Sequence, residues 1–351
     1  MNILPKPLLL LCALIGLGLL SSGCQTSAPR ITAVEYKGAP LPSILGLQQE
    51  FLSQPDLMTR YLRLSELEAQ ALALAADEPL RLGSVGSAIL EIYPASYTGH
   101  FVLEKFYRDL ESSEAQQLHA AWLRHIRETT IGDADGSTDA PYKVMSINDA
   151  RTFLAMQGLR ETGALYQSNA ETALGLTMLA RENAQAPLRT QQFDLTPILQ
   201  PLTADLAGAQ TIQPNNPWPL LRELASSRNS AAQASIGTFL AKQRRFEAAL
   251  GWLEVAARPG NLFANSLLAR IYWFRAGTAQ KQEQQQSPTD SDDAQPTAEE
   301  FKQMALENHL QAVALGSADS MYSLGRLYIE EFFGPGNNAE GITLLEQAGR
   351  L

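Results

Sequence analysis

The C-terminal third of the chain repeats itself, and a repeat limits the possible folds more than any other feature of this sequence. Residues 249–264 (ALGWLEVAARPGNLFA) align with 305–320 (ALENHLQAVALGSADS). A second alignment sets Ile236-Gly237 beside Leu268-Ala269 and Leu324-Gly325, with Tyr272 and Tyr328 following in the last two. The residue types explain the pattern. Small residues (Gly237, Ala256, Ala257 and Gly325) let helix backbones approach closely, and Trp252, Tyr272 and Tyr328 fill the spaces between layers. Gly260 and Gly316 suit the left-handed conformation that ends a helix. One helical hairpin cannot cover its own apolar face, so such units stack.

The pattern A-x-x-x-L-G-x-x-Y, then A-x-x-W-x-x-x-A-A-x-x-G, resembles the Sel1-like repeat, a relative of the tetratricopeptide repeat. The resemblance implies an α-solenoid that offers a binding surface. Three units are readable, at about 231–260, 261–316 and 317–351. The Trp is replaced by Asn308 in the second unit and by Leu344 in the third. The first unit has Lys242-Gln243-Arg244-Arg245 where the family carries a G-x-G-V loop. The middle unit is about 20 residues too long for one hairpin. Residues 278–297 (TAQKQEQQQSPTDSDDAQPT) are polar and of low complexity, so the expectation there is a disordered loop between two helices. The third unit stops with its second helix and has no polar cap, so its apolar end is expected to meet a partner or a second copy, or to continue in a longer chain.

The N-terminus carries an address. Lys6 precedes an apolar run from Leu8 to Leu20, and Ser21-Ser22-Gly23-Cys24 follows. That order is the layout of a secretory signal. The run is too short to span a bilayer, which needs about 20 residues. Small residues ending in cysteine resemble the lipobox of bacterial lipoproteins, in a loose form, since Ser21 stands where the usual Leu would. The resemblance implies acylation of Cys24 after removal of residues 1–23, with Gln25 directing the protein to the outer membrane and the body to the periplasm. Two or three acyl chains anchor stably.

Composition removes several chemistries. The only cysteines are Cys12, in the leader, and Cys24. The mature body therefore has no disulfide, thiolate ligand or thiol nucleophile. A formal charge of −10 leaves no basic footprint for nucleic acid. His119 and His125 lie six apart and point to opposite sides of one helix. His100 reads as a helix-start residue. No zinc-type spacing, phosphate-cradling loop or nucleophile elbow occurs, and Leu82-Gly83-Ser84-Val85-Gly86-Ser87 reads as a turn between helices. Residues 132–142 (GDADGSTDAPY) miss the calcium-loop spacing and read as a solvated loop. No cofactor, metal or catalytic residue is expected.

Between the address and the repeat, apolar spacings of three and four predict helices over 41–52, 57–74, 101–110 and 115–126. Strand-like segments follow at 143–147, 163–167, 174–179 and 188–195, with a short helix at 149–157. The expected organisation is a leader (1–23), a tether (24–40) and a helical N-terminal domain (41–200) holding a small mixed segment (142–196). A Pro-rich transition (201–230) and the repeats (231–351) complete it. The fold class is mostly α, with a small sheet inserted between two helical blocks. The functional expectation is an envelope scaffold or adaptor that binds protein partners and is not an enzyme. A subunit of exopolysaccharide export and a cell-wall enzyme are the alternatives.

Overall fold

The computed structural model describes residues 40–168, 172–207, 215–285 and 296–350. The chain is mostly helical with one small four-stranded sheet. Five helices come first: α1 (Ile44–Leu52), α2 (Leu57–Asp77), α3 (Leu82–Ile92), α4 (Tyr97–Asp109) and α5 (Ser113–Ile131). The α2 helix buries Leu57, Tyr61, Leu64, Leu67 and Ala71, the stripe that the three-and-four spacing demands. The turn expected at 82–87 is instead the start of α3. Its glycines serve packing: a Cβ on Gly86 would stand 2.6 Å from Leu103 Cγ, and one on Gly83 2.6 Å from Phe106 Cζ. They let α4 lie close against α3, while the Ser84 and Ser87 hydroxyls donate to the carbonyls of Arg81, just before the helix, and of Gly83 within it.

The sheet has the order β1-β4-β3-β2. Strand β1 (Tyr142–Lys143) runs parallel to β4 (Arg189–Asp194); β3 (Gly175–Arg181) is antiparallel to both β4 and β2 (Arg160–Gln167). Helix α6 (Ile147–Met156) follows β1. One face buries Ala164, Tyr166, Leu176, Met178 and Phe193 against the N-terminal helices. This settles the β4 face that alternation alone leaves open.

The remaining helices are α7 (Thr196–Ala207), α8 (Trp218–Ser226) and three pairs. The pairs are α9 (Ser230–Lys242) with α10 (Phe246–Ala257), α11 (Leu262–Gln285) with α12 (Ala298–Ala314), and α13 (Ala318–Ile329) with α14 (Asn338–Ala348). Gly260 and Gly316 have φ of 90° and 96° between successive pairs, where the left-handed region favours glycine. Arg244 adopts φ 60° in the α9–α10 turn in place of a glycine. The expected loop over 278–297 is helical through Gln285. Alanine, glutamine, lysine and glutamate are good helix formers, so low complexity did not mean coil. The extension is used: Glu283 Oε1 accepts from the Ala298 backbone N–H at 2.8 Å, at the start of α12. The rest of that segment, 286–295, lies outside the described residues.

Across the Pro-rich transition at 201–230 the core of the described residues is continuous. One apolar cluster runs from Ile44 through the sheet to Phe301 and Ala305, and Leu220, Leu221 and Leu224 of α8 belong to it. The edge strand β2 is closed by the helix pairs. Ser235 Oγ on α9 accepts from the Tyr166 N–H at 2.8 Å, and Asn261 Nδ2 donates to the Ala164 carbonyl at 2.8 Å. Edge groups that would otherwise invite another strand are thereby occupied. Among the described residues a second, smaller cluster, Met321, Leu324, Tyr328 and Leu344, lies in the last pair, with Leu306 and Val313 of α12 packed against it.

Candidate functional site

Helices α9, α11 and α13 and one face of the sheet enclose a cleft of about 1320 Å³. Its floor is α11. Phe263, Leu267, Arg270, Ile271 and Phe274 stand at i, i+4, i+7, i+8 and i+11 and so share a face. Leu165 and Leu179 enter from the sheet, Thr238, Ala241 and Lys242 from α9, Phe246 and Glu247 from α10, and Asp319 and Tyr322 from α13. Phe301 and His309 of α12 complete the lining. Trp273, Phe274 and Tyr322 are 46%, 56% and 53% exposed. Three large aromatics left that open in one concavity are unusual, because folding normally removes them from water.

The charges in the cleft are uneven. Arg275 donates to Glu247 and lies 5.5 Å from the Phe301 ring centre, so both ions are engaged. Lys242 and Arg270 are exposed and form no ion pair among the described residues. Burial lowers the His309 imidazole to about 4, so it is neutral at pH 7, and its Nδ1 is buried without a partner. Ser317 caps α13 by accepting from the Ser320 N–H at 3.1 Å, and Ser266 Oγ lies 3.2 Å from Ser320 Oγ. These hydroxyls serve the fold.

Two polar clusters sit elsewhere. Glu68, in the middle of α2, is fully buried. Its oxygens accept from Ser96 Oγ at 2.8 Å and Ser146 Oγ at 2.7 Å, the N-cap residues of α4 and α6. Asp149 in the first turn of α6 reaches across to the N-terminus of α4, accepting from the Thr98 N–H at 3.1 Å. Desolvation pushes Glu68 well above the usual carboxylate range, helped by the nearby Asp149 charge, and lifts Asp149 to about 6. A pair of displaced carboxylates is a common mark of catalysis. Here both carboxyls are sealed and bridge helix N-termini, so the pair acts as a clasp joining α2, α4 and α6.

The second cluster is a histidine pair that sequence spacing misses. His119 faces His100 of α4, with Nδ1 to Nδ1 at 2.9 Å. His100 Nε2 lies 2.9 Å from the Pro94 carbonyl, which can only accept, so in the neutral pair His119 Nδ1 is the donor to His100 Nδ1. Trp122 stacks on His100 and Tyr107 on His119, at 4.7 and 5.5 Å between ring centres.

Most of the repeat residues named from the sequence lie at helix contacts. Ala256, Tyr272 and Tyr328 are buried. A Cβ on Gly237 would stand 2.6 Å from Leu253 Cγ, and one on Gly325 2.8 Å from the Gly341 carbonyl. Gly316 is buried and Ala257 and Gly260 half-buried. Trp252, expected between layers, packs against the core but is not fully buried. It is half-buried beside Gln233, Ala248 and Val255, and Leu253 takes the fully buried position. Cys24 lies outside the described residues.

The cleft aromatics were missed, although a signal was present. The α11 sequence carries Trp273 and Phe274 beyond Leu268, Ile271 and Tyr272, more large apolar groups than one buried stripe requires. Among the described residues no three His, Cys, Asp or Glu side chains gather in a metal-holding group, and no helix is long and apolar enough to cross a membrane. No family model matches the chain, and neither the curated proteins nor the solved structures compared with it give a match.

Proposed function

We propose that the protein is a lipid-anchored envelope lipoprotein whose three helix pairs form a Sel1-like solenoid that binds a partner protein in the α9–α11–α13 cleft. The observation that carries this reading is the exposure of Trp273, Phe274 and Tyr322 in one concavity. Aromatic side chains held rigid in a groove are typical binding anchors. Glycines of positive φ between successive pairs and the close helix approach at Gly237 and Gly325 support the repeat. The anchor rests on the resemblance of Ser21–Cys24 to a lipobox. No catalytic role is part of this reading.

The test is site-specific photo-crosslinking in intact cells, with a benzoylphenylalanine placed at Phe274, at Tyr322 or, as control, at exposed Leu80 of the N-terminal block. A discrete protein adduct from the two cleft positions and none from Leu80 is expected. Adducts from Leu80 with none from the cleft would overturn the reading. Labelled palmitate should be incorporated by the wild type and not by Cys24→Ser; label persisting on the variant would remove the anchor.

A further inference from the structure

Resting on the cleft reading, we infer that the occupant is an extended acidic–apolar peptide segment, with carboxylates that pair with Lys242 and Arg270. Several cations near the cleft already have partners: Arg275 holds Glu247, Arg326 holds Glu330 at 2.6 Å, and Arg181 donates to the Ala314 carbonyl. Lys242, in the last turn of α9, and Arg270, on the face of α11 that forms the floor, line the cleft without a carboxylate partner among the described residues. They do so on a chain with 37 acidic and 27 basic side chains. The remaining acid of the lining, Asp319, sits in the first turn of α13, where the helix dipole favours a negative charge. The cationic half of the cleft is therefore the α9–α11 side.

The rest of the lining sets the other half of the ligand's chemistry. Phe246 and Phe274 line the cleft from α10 and α11, and Tyr322 lines it from α13, across from the cationic side. A carboxylate delivered among them meets a lower effective dielectric than on the open surface, so its attraction to Lys242 and Arg270 is stronger. Crossing from α9 over α11 to α13 spans about 18 Å at ordinary helix separations, or about six residues of extended chain. A peptide alternating apolar and acidic side chains presents its carboxylates to one wall and its apolar groups to the other.

The experiment is isothermal titration of the protein with three blocked octapeptides, each with leucine at alternate positions. The other positions hold aspartate, asparagine or lysine. The aspartate peptide should bind about tenfold tighter than the asparagine one, the size expected of two partly exposed ion pairs. That preference should shrink with added salt. Lys242→Gln combined with Arg270→Gln should abolish the preference while leaving the melting temperature unchanged, since both side chains are exposed. Equal binding of the aspartate and asparagine peptides, or preference for lysine, would overturn the charge assignment and leave the cleft reading standing. Failure of all three peptides at millimolar concentration would overturn both.

Discussion

His100 and His119 show what burial does to a titratable residue. Desolvation lowers His100 to about 3, helped by His119, and lowers His119 to about 4. In the unfolded chain both return to about 6.5. The unfolded state therefore binds more protons below pH 6.5. The folding stability linked to this pair is complete above that pH and is lost as pH falls toward 3–4. His119→Phe removes one titrating group. Its stability gap to wild type should narrow by about 1.4 kcal/mol per pH unit below 6.5, measured by urea unfolding between pH 7 and 4.5. A constant gap would mean that the imidazole is not buried in the neutral form. The pair was illegible in sequence because its members lie 19 residues apart on two helices whose packing no local pattern reveals. Glu68 left a trace: it stands four residues after Leu64 on the apolar stripe of α2, and a carboxylate there demands internal partners.

At the level of elements, sequence periodicity placed most helices within a few residues. It succeeded where a stripe faces one core, as in α2, and failed where glycine acts in packing, as at Gly83 and Gly86 in α3. It also failed where a polar run keeps helical propensity, as at 278–285. The register within α10 is the sharpest case. The repeat register places Trp252 inward, yet it is Leu253 that Gly237 makes room for. Leu253→Ala should cost about 2–5 kcal/mol by leaving a cavity against α9. Trp252→Ala, at a half-buried surface, should cost about 1–2 kcal/mol, less than a fully buried aromatic would. Chemical denaturation of the two variants decides this; a larger loss for Trp252→Ala would reverse the register.

On the scale of the whole molecule, the small sheet is the joint that sequence reading undervalued. It was expected as an insertion between two blocks. It lies between them in the chain, and Ser235 and Asn261 close its edge, Gly163 brings β2 against Leu262, and Arg181 reaches the end of α12. The N-terminal helices, the sheet and the first two helix pairs share one core, so the sheet, α9 and α11 walls of the cleft do not depend on a partner to form, and the α13 wall rests on the last pair. Such long-range contacts were beyond a reading of repeats, which sees only neighbours in sequence. The final pair, with its small separate core, is the part free to loosen. Native-state hydrogen exchange tests this most directly. Amides of α4, β3 and α11 should open with the same free energy, within about 1 kcal/mol, and those of α13 and α14 with less. If α11 instead exchanges well before α4 and β3, the helix pairs form a separate unit and the preformed cleft is contradicted.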